Sequence, residues 1–70
     1  MTPEQRKKIG DTIRGIRQLR GMSQLELAER CNMHRSNLCG IEKGQRPVGW
    51  AGLQRIAQVL ECEITITFNA

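Results

Sequence analysis

Apolar residues recur along this chain at helical spacing for most of its length and at strand spacing near its end. Ile9, Ile13 and Ile16 follow one another at four and three residues, which defines one apolar stripe with Leu19 flanking it. Thr2-Pro3-x-Gln5 reads as the start of that helix. The Thr2 hydroxyl can accept from a free backbone N–H, Pro3 suits the first helical position, and Gln5 can reach back to complete a capping box. Gly21 ends the helix, and Ser23-x-x-Glu26 is a second capping box. Leu27, Ala28 and Cys31 then give a short apolar face before Asn32, a residue type that tolerates a left-handed turn. A third short helix starts near His34, buries Leu38 and Ile41, and stops at Gly44. Residues 45–49, with Pro47, read as a loop. Trp50, Leu53, Ile56, Ala57 and Leu60 predict a fourth helix to about residue 61, anchored by Trp50. The period then changes. Ile64, Ile66 and Phe68 alternate with Thr65, Thr67 and Asn69, the pattern of a β-strand with one apolar face.

That strand has no second strand in the chain to receive it, and backbone N–H and C=O groups need a ladder partner. The pattern therefore predicts pairing with the same strand of another copy, with Ile64, Ile66 and Phe68 as the dimerising residues. The expected architecture is mostly α: four to five short helices with a helix-turn-helix, plus a C-terminal strand that pairs between subunits. Residues 1–62 form the helical domain and residues 63–70 the dimerisation element.

Length sharpens this picture. At 70 residues the chain holds one domain and buries only about 60% of the surface its unfolded state exposes, so support from a second copy is expected. A multidomain enzyme is excluded. Aromatics make up 3% of the chain, so aliphatic side chains build the core. The net charge of +4 is unevenly spread: residues 1–20 carry six basic side chains against two acidic ones, whereas residues 47–70 carry one against two. A basic front of this kind suits a polyanionic partner. There is neither an apolar run of membrane-spanning length nor a signal segment at the N-terminus, and a cytoplasmic protein is expected.

Three cysteines, Cys31, Cys39 and Cys62, are an odd number without the density of a disulfide scaffold, so reduced thiols are expected. With His34 they make a set of four conceivable metal ligands, but the spacing matches no zinc signature, and no metal or other cofactor is expected. The single histidine has no nucleophile placed beside it, the carboxylates are scattered, and no glycine-rich loop follows a strand. No enzymatic role follows.

Two short helices joined by Asn32-Met33-His34 form a helix-turn-helix by spacing. The run Ile9-Gly10-x-x-Ile13-x-x-Ile16-Arg17-x-x-x-Gly21-Met22-Ser23-Gln24-x-x-Leu27-Ala28, continued by Asn37-Leu38-x-x-Ile41-Glu42-Lys43-Gly44, Pro47 and Leu53-x-x-Ile56-Ala57, resembles the Xre/Cro family of phage-repressor-type DNA-binding domains. The resemblance spans residues 9 to about 62. It implies that the helix from about residue 34 to 43 enters the major groove of double-stranded DNA. Arg35 would read a guanine through two hydrogen bonds, with Ser36 and Cys39 on the same side and Asn37 beside them. Asn37 has the chemistry to read adenine, although the family more often uses its position for a helix-facing or phosphate contact. Gln24, Lys43 and Arg46 would contact phosphates, and Arg17 and Glu42 would form an ion pair that orients the recognition helix. Met22, Met33 and Cys31 read as core residues, and His34 as the polar residue that opens the helix.

Three positions depart from the family pattern: Asn32 in the turn, His34 at the cap, and Gly40 inside the recognition helix. Gly40 points either to a close approach of backbone to DNA or to a less rigid helix. The function implied is a homodimeric, sequence-specific transcriptional regulator, most simply a repressor. The alternatives are an antitoxin that binds both DNA and a toxin, and a protein-interaction module without DNA binding.

Overall fold

Side-chain caps start the first two helices where the sequence places them. In the computed structural model, which describes residues 1–65, α1 (Pro3–Leu19) begins with Gln5 N–H donating to Thr2 Oγ1 at 3.1 Å and Thr2 N–H donating to Gln5 Oε1 at 2.9 Å. Ser23 and Glu26 repeat the exchange at the start of α2 (Gln24–Arg30), at 3.0 and 3.3 Å. Each box satisfies backbone donors that have no intrahelical acceptor. α3 (Arg35–Glu42) and α4 (Trp50–Val59) start at His34 and Gly49 without a side-chain cap.

All four helices stop by one device. Gly21, Asn32, Gly44 and Glu61 take left-handed backbone with φ of 67, 55, 73 and 55°. The following N–H groups then bond back: Gly21 to Gln18 and Met22 to Arg17, Asn32 to Glu29 and Met33 to Ala28, Gly44 to Ile41 and Gln45 to Gly40, Glu61 to Gln58 and Cys62 to Ala57. These are Schellman pairs, which satisfy the last carbonyls and turn the chain sharply. In three of the four, the residue after the turn (Met22, Met33, Cys62) is apolar and packs on the core, the hydrophobic contact that accompanies this motif.

The core is small and aliphatic. Ile13 of α1, Leu27 and Ala28 of α2, Leu38 and Ile41 of α3, and Ile56 of α4 are buried, joined by Cys31, Val48 and Leu60 from the connections. α3 packs against both α1 and α2, and Arg35, Ser36 and Lys43 along its outer side stay exposed. No described helix is long and apolar enough to cross a membrane.

Several expectations are corrected. No C-terminal strand is formed among the described residues: residues 62–65, the described part of the tail, are irregular, and the described residues contain four helices. Alternation alone does not make a strand, because a strand also needs a hydrogen-bonded neighbour, and none is present among the described residues. Ile66 and Phe68 lie outside the described residues; Ile64 is half-buried, beside a groove between α1 and α4. α4 ends at Val59 rather than near residue 61, since Glu61 takes the left-handed position usually given to glycine. Trp50 is 53% exposed, so it does not anchor α4, and Leu19 is 78% exposed. Residues 45–49 form a loop as expected, and Val48 within it is buried.

Candidate nucleic-acid interface

Inward and outward positions of α3 divide cleanly. Leu38, Ile41 and Glu42 are buried, while Arg35 and Ser36 are exposed and Asn37 and Cys39 half-exposed. Four of the residues assigned to DNA by resemblance, Arg35, Ser36, Asn37 and Cys39, thus occur together on the accessible part of one helix, with Lys43 and Arg46 exposed just beyond its C-terminal end. Arg35 opens the helix, so its long side chain projects from the end that a recognition helix presents to base edges.

What holds α3 in place lies behind it. Arg17 Nε donates to Glu42 Oε2 at 2.7 Å and Arg17 Nη2 to Glu42 Oε1 at 2.9 Å, a bidentate pair with Glu42 only 2% exposed. Arg17 Nη1 also donates to the Met22 carbonyl at 3.0 Å. The hydrogen bonds from Arg17 to Glu42 raise the Arg17 pKa beyond its ordinary value, against the opposing effect of burial. A fork-on-carboxylate pair fixes orientation as well as separation, which ties α1 to α3 at one angle. Gln24 Nε2 reaches the same carboxylate, donating to Glu42 Oε1 at 3.3 Å. The side chain assigned to a phosphate is therefore oriented by the buried pair, at the positive start of α2.

Two further contacts carry no signal that the sequence reading used. Gly10 sits where α1 crosses α3, and a Cβ there would run into the backbone carbonyls of Ile41 and Glu42. Arg6 Nε donates to the Gly44 carbonyl at 3.2 Å, while a Cβ on Gly44 would stand 2.9 Å from Lys7 Cα. The first turns of α1 thus lie against the turn that follows α3. A glycine inside an otherwise regular apolar pattern is the one cue that could have found the first contact.

The charges of α1 are mostly solvated: Lys7 and Arg14 meet Asp11 at 3.1 and 3.0 Å with about half of each side chain in water. Gly40 is not an opening in α3, because the aliphatic stem of Arg46 fills the space beside it. Cys31 is buried, and desolvation pushes its thiol pKa up, against a smaller lowering by Arg55. Cys39 and Cys62 are half-exposed free thiols. Among the described residues no cluster of His, Cys, Asp and Glu is arranged to hold a metal ion.

The helix-turn-helix domain family matches residues 8–64 of this chain. Among solved structures, the chain is similar to the restriction-modification controller protein C.AhdI from Aeromonas hydrophila, at 33% identity and a TM-score of 0.83. That likeness covers 86% of this chain and 91% of C.AhdI. No curated protein matches it.

Proposed function

This chain belongs to the helix-turn-helix domain family, and from that membership we infer a DNA-binding transcriptional regulator that presents α3 to the major groove of duplex DNA. The observation that carries the reading is the exposed face of α3 backed by a buried bidentate ion pair: Arg35, Ser36 and Cys39 outward, Arg17 and Glu42 locked behind. A recognition helix must be rigid to discriminate bases, and the pair supplies that rigidity. Arg35 donates to O6 and N7 of a guanine, Ser36, Asn37 and Cys39 contact neighbouring edges, and Gln24 and Lys43 meet phosphates.

The regulator works as a homodimer. A helix of eight residues reaches few base pairs, and a second copy related by a two-fold axis adds a second half-site about 34 Å away. The likeness to C.AhdI, whose name describes a restriction-modification controller, favours a narrower reading: this protein controls restriction-modification genes.

Selection of bound sequences from random duplex DNA tests all three statements. An enriched inverted repeat supports the dimer, and its occurrence ahead of restriction-modification genes in the same genome supports the narrower reading; enrichment of no sequence would sink the function itself. Against the selected sequence, Arg35→Ala is expected to cost about 1–3 kcal/mol while affecting unrelated duplexes less. Lys43→Ala is expected to weaken every sequence alike and to flatten the salt dependence by about one unit of slope.

A further inference from the structure

The outer face of α3 carries a gap that the following loop fills. Ser36, Gly40 and Lys43 succeed one another at four and three residues, so they share one stripe of the helix, away from the buried Leu38, Ile41 and Glu42. A glycine on such a stripe should be bare, yet Gly40 is buried. Arg46 covers it. A Cβ at position 40 would stand 2.8 Å from Arg46 Cδ and 2.9 Å from its Cγ, closer than a side chain can approach.

Arg46 is held at both ends of this crossing. Its backbone N–H donates to the Gly40 carbonyl at 3.2 Å, beside the Gln45 N–H that closes the helix at 2.9 Å on the same oxygen. Its Nη1 donates to Asn37 Oδ1 at 3.3 Å, one turn back along α3. Among the described residues the guanidinium has no carboxylate partner, so its charge and remaining donors are free for a ligand. With Oδ1 directed at Arg46, the Asn37 amide is oriented with its two N–H donors elsewhere.

We propose that Gly40 is a positioning residue that lets Arg46 lie across the recognition helix, and that Arg46, held beside the Asn37 amide, is a specificity-determining reader of a guanine. The proposal rests on α3 entering the major groove. A guanidinium and an amide fixed as neighbouring donors match the two acceptors that guanine shows there, O6 and N7, whereas adenine offers one acceptor and one donor. Glycine at position 40 is then a requirement of recognition. Any side chain would lift the stem of Arg46 off the helix, and because that stem is flexible the cost falls on the placement of the guanidinium and leaves the fold intact. Alanine is also the better helix former, so Gly40→Ala keeps α3.

The test compares full-length wild-type protein with Gly40→Ala, Arg46→Ala and Arg46→Lys, each checked for helical content by circular dichroism and then used to select from random duplex DNA. All three variants are expected to lose discrimination at one and the same G·C pair, by about five- to a hundredfold. Gly40→Ala and Arg46→Lys keep the charge and so retain the wild-type salt slope, whereas Arg46→Ala lowers it by up to about one unit. The proposal is overturned if Gly40→Ala selects the wild-type sequence with undiminished discrimination, or if Arg46→Ala weakens all duplexes equally. Failure of the wild type to enrich any sequence would instead remove the major-groove reading, and this inference with it.

Discussion

α1 meets two other helices in contrasting ways. Against α3 it is fixed by directional and close contacts: the Arg17–Glu42 fork, Gly10 against the carbonyls of residues 41 and 42, and Arg6 on the Gly44 carbonyl. Against α4 the described residues leave a groove of about 390 Å3 whose walls include Ile9, Ile13 and Ile16 on one side and Leu53, Ile56 and Leu60 on the other. The polar ties among the described residues there are at the far end, where Arg20 Nε donates to the Leu60 carbonyl at 2.9 Å and its Nη2 to the Glu61 carbonyl at 3.5 Å. Apolar contact is non-directional and tolerates small shifts, whereas a bidentate pair and a backbone-on-backbone crossing do not. The stiff contact belongs to the helix proposed to enter the major groove, where a small error in angle would misplace every base contact it makes. The looser one lies on the side away from it.

Removing the stiff contact has the largest expected effect. Glu42→Ala leaves Arg17 without its buried partner and frees the Gln24 amide, at a cost of about 3–5 kcal/mol in urea unfolding. A loss below about 1 kcal/mol would mean that apolar packing alone sets the α1–α3 angle. Next comes a pair of alanines on α1. Gly10→Ala should destabilise by about 1–3 kcal/mol, because the new methyl meets backbone that cannot step aside. Gly15→Ala, with open space around it, should stabilise by about 0.5–1 kcal/mol through helix propensity alone. Thermal melts giving both changes the same sign would remove the close crossing from the account. The smallest effect is expected on the α4 side, where Arg20→Met keeps the aliphatic stem and loses the bonds to the Leu60 and Glu61 carbonyls, for about 0.5–1.5 kcal/mol. An effect as large as that of Glu42→Ala would abolish the contrast between the two contacts.

Sequence reading succeeded where the determining interactions are local. Both capping boxes, the stops at Gly21, Asn32 and Gly44, and the stripe of Ile9, Ile13 and Ile16 join residues a turn or less apart, and each is present. It failed where one pattern serves two purposes. Alternation at Ile64, Ile66 and Phe68 is the signature of a strand, yet residues 62–65 are irregular because periodicity says nothing about whether a ladder partner exists. Glu61 in a left-handed turn was hidden for a related reason. The gain from closing α4, with Cys62 packed on the core, outweighs the strain of a non-glycine residue at that position.

The site was legible to a different depth at each residue. Exposure of Ser36 follows from its place opposite Leu38 and Ile41, which helical spacing already gives, whereas Arg35, three residues before Leu38, is exposed where it opens α3. Gln24 could be placed at the start of α2 from the capping box, but its bond to Glu42 could not, since the two residues are 18 apart in the chain. Gly40 left two readings open, and neither involved a side chain from the loop.

By itself, then, the order of residues determined where the first three helices stop and which faces of them are apolar, and left four to five helices open where the described residues hold four, because backbone caps and helical stripes are settled within a few residues of one another. Only the tertiary structure decided that Gly10 sits under two carbonyls, that Trp50 is left in water, and that Arg46 lies along Gly40 with its guanidinium on Asn37. Those outcomes depend on the distance and angle at which separate segments meet, and those are set by the packing of the whole core, which no local pattern encodes.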